Sequence, residues 1–169
     1  MTTRRLSPRW PAAGDVEAVL AVHGDRAACL HNPSDALAAR AEAEERRRSR
    51  GAVWRRRGYG YWTVRAHDYS AVPGFCGVNP MEPNGLPVLN LFHRFPPAAW
   101  GRDSASEVAT AVVAWASTAE PGLPLIARVR PADLTSRRVA LRAGLLRAEH
   151  LDGGGYDGFD RIHHRPAGW

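Results

Sequence analysis

The stretch NLFHRFPPAAWGRDSASEVATAVVAWA, Asn90 to Ala116, decides the fold. A strand runs into a short loop and then directly into a long amphipathic helix. From Ser104 onward, Ala105, Val108, Ala109, Val112, Trp115 and Ala116 recur at helical spacing and form one buried side. The first N–H groups of such a helix have no acceptor within it, and its dipole is positive at that end. The start of this helix therefore suits an anion such as a phosphate or pyrophosphate. Ser104-Ala105-Ser106-Glu107 also has the pattern of a capping box, with Ser104 as N-cap and Glu107 reaching back to it. Both readings stay open on local chemistry.

Outward from this stretch the period of the chain alternates between helix and strand. Arg4 to Arg9 is predicted as a strand, and Asp15 as the N-cap of a helix carrying Val16, Val19, Leu20 and Val22 and ending at Gly24. A second helix is expected from Ser34 or Asp35 to about Gly51, rich in Ala, Glu and Arg. Strands follow at Tyr61–Arg65, Gly74–Val78 and Val88–Phe95, the last two joined by a turn containing Asn84-Gly85. Beyond the helix at Ser104–Ala119 come a strand at Leu125–Arg130, a helix at Thr135–Ala143 closed by Gly144, and strands at Leu145–Glu149 and Asp160–His164. The order β-α-α-β-β-β-α-β-α-β-β is that of an α+β, or mixed α/β, domain. No repeat or low-complexity linker interrupts it, so residues 1–169 are expected to form one domain.

Composition narrows the function. The chain has 169 residues, 44% hydrophobic and 24% charged, as expected of a folded protein. No apolar run approaches the roughly 20 residues of a membrane span. Met1 to Trp10 lacks the apolar core of a secretion signal, so a cytoplasmic location is expected. Cys29 and Cys76 have no metal-ligand spacing, and His163-His164 on a strand would point to opposite faces, so no metal site is expected. All 23 basic residues are arginine. Five of the six net positive charges lie in Arg40–Arg57, which holds eight arginines and three glutamates. A nucleic-acid patch is one reading of that run. A solvated helix face is preferred, because no aromatic residue interleaves Arg40 to Arg50.

The ordered set of motifs resembles the GNAT superfamily of N-acetyltransferases, in its RimJ/RimL-type branch. Trp100, Asp103 and Ala105 stand at the marked positions of the family's Q/R-x-x-G-x-G/A loop, and WGRDSASE is similar to the branch's WGxGYATE. PADLTSRRVALRAGL, Pro131 to Leu145, resembles PxNxxSxRVxExxGF. Further matches are RRLSPRW, Tyr61-Trp62, GFCGV at Gly74 to Val78, and the terminal LDGGGYDGFDRIHH. The resemblance implies a central, mostly antiparallel sheet flanked by helices. It also implies an acetyl-CoA-dependent N-acetyltransferase, with acetyl-CoA as co-substrate and a small-molecule amine or a protein N-terminus as acceptor. Membrane and nucleic-acid partners are not expected, and a homodimer is left open.

The same resemblance assigns candidate roles. Phe95 lies at the end of the strand that would meet the coenzyme, and Trp100, Gly101, Arg102, Asp103, Ser104 and Ala105 would cover its pyrophosphate. Asp133 would lie beside the pantetheine arm. Arg138, with Arg137, would reach the adenosine phosphate or else form a solvated face. Ser136 is the candidate to protonate the leaving thiolate, unless it caps its helix. His93 is the candidate base and Glu107 the second. The acceptor pocket is implied between the first two helices and the hairpin carrying Asp152, Asp157 and Asp160, acids that attract an ammonium or form turns.

Trp100 stands where the family usually has Gln or Arg, although the branch often carries an aromatic there, and three further departures bear on activity. Asp103 replaces a glycine, and a carboxylate about 4 Å from a phosphate charge costs about 4 kcal/mol at an effective dielectric near 20 unless it turns away or is offset, for instance by Arg102. Asp133 replaces an asparagine but remains a good N-cap. Ala140 stands where many members place a catalytic tyrosine. These features frame the alternative reading, a GNAT-fold binding or accessory protein with a degenerate coenzyme A site and no acetyl transfer.

Overall fold

The computed structural model describes residues 1–67 and 74–168. In chain order its elements are β1 (Leu6–Arg9), α1 (Val16–Gly24), α2 (Arg40–Arg57), β2 (Tyr61–Ala66), β3 (Gly74–Met81), β4 (Val88–Arg94), α3 (Ser104–Ala119), β5 (Leu125–Val129), α4 (Leu134–Arg142), β6 (Leu146–Arg147), β7 (Gly153–Gly155) and β8 (Gly158–Arg165). The sheet order is β1-β2-β3-β4-β5-β8-β6, with β7 folded back on β8. Every pairing is antiparallel except β4 with β5. The mixed α/β order follows the expectation, with β7 added and β6 shortened to two residues. None of the described helices is long and apolar enough to cross a membrane.

Strand alternation sorts the two faces. Leu89, Leu91 and Phe95 turn toward α3 and join Val108, Val112 and Ala116 in the main core. Phe75 and Phe92 face the other way, against Val16 and Val19 of α1 and Ala43 of α2. Close approach of backbones at one sheet position demands glycine: a Cβ on Gly77 would lie 2.2 Å from the Gly60 carbonyl oxygen.

Both ends of α2 differ from expectation. The helix starts at Arg40, where the Glu42 carboxylate accepts from the N–H groups of Ala38 (2.7 Å) and Ala39 (3.0 Å). Asp35 caps nothing; its carboxylate receives Arg94 (2.8 Å) and Arg46 (3.3 Å) instead. At the other end the helix continues past Gly51 because Trp54, one turn on, is buried against Trp62. Burying an indole outweighs the ~1 kcal/mol helix penalty of a glycine. Gly58, at φ +73°, then ends the helix by donating to the Trp54 carbonyl.

Asp15 stands at the N-cap position of α1, as expected, but its side chain caps none of that helix's N–H groups. It is 3% exposed and accepts from both terminal nitrogens of Arg9, from Ala12 N–H (2.8 Å) and from Thr63 Oγ1 (2.8 Å). These bonds tie β1, α1 and β2 together. Burial alone would raise its pKa, but the Arg9 bond and the Ala12 and Thr63 donors bring it below the ordinary aspartate value. The pair therefore contributes fully above the unfolded aspartate pKa near 4 and is lost as pH falls through the lower folded value. Asp15→Ala should lower the unfolding free energy in urea by about 2 kcal/mol at pH 7, since it leaves the buried Thr63 hydroxyl and the Ala12 N–H without their acceptor. The difference from wild type should shrink as the pH is taken below 4.

Candidate active site

The two halves of the sheet meet at one short ladder. Leu89 pairs with Leu125 and Asn90 with Ile126, and the Leu89 N–H donates to the Pro124 carbonyl (2.9 Å). Beyond that ladder β4 runs on through Arg94 and β5 through Val129 with no further pairing between them. Alternation carries the backbone N–H and C=O of His93 onto the same edge, past the last paired position. An open wedge of strand edge results, and it can accept or donate to a ligand laid along it.

The loop before α3 closes one side of this wedge. Trp100 folds back, its Nε1 donating to the Phe95 carbonyl at 2.8 Å. The Phe95 ring itself is core, so only its backbone is available to a ligand. Gly101 and Asp103 both take left-handed backbone, at φ +73° and +57°. Asp tolerates this region better than most residues, so the loop keeps a conformation that favours glycine. Asp103 is the N-cap residue: its carbonyl accepts from Glu107 N–H (2.9 Å), while its side chain caps nothing. Ser104 is therefore the first helical residue, not the cap. The N–H groups of Ser104, Ala105 and Ser106 begin the helix without intrahelical acceptors.

The Asp103 carboxylate is bound by Arg142 from the last turn of α4. Arg142, not Arg102, offsets the acid. Arg102 makes no ion pair among the described residues. Glu107 does not close a capping box. Its carboxylate receives Thr3 Oγ1 (2.5 Å), Arg5 N–H (2.8 Å) and Arg5 Nε (2.6 Å), clamping the chain before β1 onto α3. Burial would raise its pKa, yet these donors hold it below the ordinary range. Its carboxylate oxygens are thus taken up by Thr3 and Arg5.

Across the wedge the structure brings His93, Asp133 and Ser136 together. Asp133 caps α4: it accepts Ser136 N–H at 2.8 Å and Ser136 Oγ–H at 2.7 Å. His93 is half-buried, and burial pushes its pKa down to about 4, against the pull of Asp133 and assisted by Arg94. The ring is neutral at pH 7. Arg138 is exposed, with only a 3.5 Å contact to the Leu134 carbonyl. Ala140, at the usual tyrosine position, is buried and offers no proton.

On the opposite face of β4 lies a cationic cluster that periodicity alone did not expose. Arg50 and Arg94 are buried, and Arg46 joins them, against the single carboxylate of Asp35. Arg50 lies over the rings of Phe75, Tyr61 and Phe92 at 4.8, 5.3 and 5.6 Å. His23, fully buried, gives its Nδ1 to the Asp35 carbonyl and takes Arg50 Nη2 at Nε2 (2.8 Å). Burial, then Arg50, Arg46 and Arg94, push its pKa down to about 2. The available signal was the spacing of Ala43, Arg50 and Trp54, which puts Arg50 on the buried stripe of α2. The acids of the terminal hairpin are all engaged: Asp152 with Arg147, Asp157 with Ser34, and Asp160 with Arg128 and Arg130. None is free to draw in an ammonium, and the Asp157–Ser34 bonds tie the hairpin to the connection between α1 and α2.

Comparison with known proteins agrees with this geometry. The acetyltransferase (GNAT) domain family matches residues 5–146. A search of curated protein sequences gave no match. Among solved structures, an acetyltransferase from Agrobacterium tumefaciens is 22% identical, covering 98% of this chain and 92% of its own, with a TM-score of 0.80. A GNAT-family acetyltransferase from Bacillus anthracis is 17% identical over 99% and 98%, with a TM-score of 0.78. RimL, a ribosomal L7/L12 alpha-N-protein acetyltransferase solved with coenzyme A, is 15% identical over 99% and 97%, also at 0.78. A split sheet, a helix start facing the split and a family match over residues 5–146 converge on one assignment: the chain belongs to the GNAT acetyltransferase family.

Proposed function

We propose that this chain transfers an acetyl group from acetyl-CoA to the primary amine of a small molecule or of a protein N-terminus. The observation that carries the reading is the open β4 edge beside the unsatisfied first turn of α3, with the intruding Asp103 already paired to Arg142. These groups fit the co-substrate: backbone N–H donors suit a pyrophosphate, and a strand edge suits the amides of a pantetheine arm. Solved relatives support the acceptor class, one acting on a ribosomal protein N-terminus and another being an aminoglycoside acetyltransferase.

When bound, acetyl-CoA supplies an activated acyl carbon, to which the amine nitrogen bonds as the C–S bond breaks and the thiolate leaves. The chain's own part is positioning and charge. The β4 edge near His93 orients the acyl carbonyl through backbone N–H groups. Ser136, whose one hydroxyl hydrogen otherwise rests on the Asp133 carboxylate (2.7 Å), relays a proton to the departing sulfur by taking one from water as it gives its own. His93, with a pKa near 4, is too weak a base to take a proton from an ammonium efficiently. The acceptor therefore reacts as the free amine, its proton leaving through water. The paired acids of the hairpin and the arginines behind β4 favour the same uncharged form. The second reading, a binding or accessory protein, draws on Ala140 and Asp133, which replace the family's usual tyrosine and asparagine.

Calorimetric titration separates the two readings. Wild type should bind acetyl-CoA and release free thiol when a primary amine is added; absence of binding at millimolar ligand would refute the transferase. Arg142→Gln, which leaves Asp103 unpaired, should weaken acetyl-CoA binding by about fivefold, in keeping with an exposed ion pair. Adding Asp103→Asn to that variant should restore the affinity. In pH profiles, kcat/KM should rise up to the pKa of the acceptor amine with no enzyme-derived inflection between pH 5.5 and 7.5 (a window of about two units set by the ordinary histidine value). His93→Gln should keep that shape. An inflection near pH 6.5 that disappears in His93→Gln would instead make His93 the base.

A further inference from the structure

We propose that the cavity beneath α4, on the far side of that helix from the α3 loop, binds the phosphate group of a small molecule. The cavity measures about 440 Å³, within the range of small-ligand pockets. His163 of β8 lines it and is 1% exposed, yet neither ring nitrogen bonds to any group among the described residues. A buried polar atom without a partner costs about 1–3 kcal/mol. His163 carries two such atoms, in a side chain that forms part of the cavity wall.

The surrounding charge is built for an anion. Arg161 shares the His163 face of β8, two residues earlier, and Arg137 comes down from α4. Both are exposed at the cavity wall, and neither guanidinium makes an ion pair or hydrogen bond among the described residues. Arg147 also lines the cavity but is engaged in a two-point pair with Asp152, which in addition accepts the Ile162 N–H (2.8 Å). Glu149 is the remaining acid of the wall, so three arginines face two carboxylates. Burial first, then Arg147 and Arg137, hold the His163 pKa below the ordinary histidine value. A neutral ring keeps one N–H to donate.

The donors point to phosphate. Arg137 lines the cavity from the helix, and Arg161 and His163 line it from two places on the strand. A tetrahedral oxyanion presents oxygens to all three, whereas a carboxylate offers two in one plane. Exposed Phe159 at the same wall provides an apolar surface for the organic part of the ligand. Arg137 and Arg142 are five positions apart on α4, about 140° around the helix. The cavity is therefore distinct from the loop that Arg142 serves.

The test is a titration of the full chain with inorganic phosphate, read at the His163 Cε1–H signal by ¹H–¹³C NMR. The signal is assigned by its loss in His163→Gln. It should shift and saturate, and Arg161→Gln or Arg137→Gln, both exposed and unpaired positions, should weaken the response about tenfold. Unchanged affinity in both arginine variants would overturn the proposal. So would a His163 signal that phosphate leaves unmoved, including the case where calorimetry detects phosphate bound at α3. An equal saturable shift with malonate would overturn the phosphate assignment.

Discussion

The separation of β4 from β5 is the constraint around which the molecule is organised. Each strand spends its full length on a partner of its own, β4 on β3 and β5 on β8, and the two share only the rungs at Leu89–Leu125 and Asn90–Ile126. Backbone groups past those rungs are left on an open edge in a region otherwise well packed. α3 covers the β3–β4 half and α4 the β5–β6 half, so both helices begin at the gap. The candidate chemistry sits there because that is where donors lack protein acceptors.

Charge is handled by arginine alone, and in several places arginine is an interior residue. Asp160 is held by both Arg128 and Arg130, Asp15 by Arg9, and Asp35 by Arg94 and Arg46. A planar, weakly hydrated guanidinium suits such sites better than an ammonium, through two-point bonding and stacking on rings. The basic run in α2 illustrates it. Arg46 and Arg50 turn inward to His23, Asp35 and the aromatic rings, while Arg48 pairs with Glu45 at the surface. The high net charge is thus partly a property of the packed interior.

Legibility followed the range of the interaction. α3 was readable because its apolar period repeats through four turns, and the β4–loop–α3 order was readable because the period changes from two to 3.6 at a single place. Ser104 and Glu107 were misassigned because a capping box is a local pattern, whereas the donors that decide Glu107 come from Thr3 and Arg5, about a hundred residues away. The start of α2 was misplaced for the same reason: Asp35 is a good cap by type, and Arg94 claims it from a distant strand. Asp133 was read correctly as a cap, since its partner Ser136 is only three residues on.

Sequence by itself determined the order of elements, the helix start that faces the gap, and the two aspartates that depart from the family's loop and cap. These depend on periodicity and on residues within a few positions of one another. Tertiary structure alone decided that Asp103 is neutralised by Arg142, that the hairpin acids are already paired, and that His163 lies unpartnered under α4 among arginines. Such outcomes turn on which side chains meet across the sheet. A one-dimensional pattern does not encode that meeting until backbone pairing brings distant segments within hydrogen-bond reach.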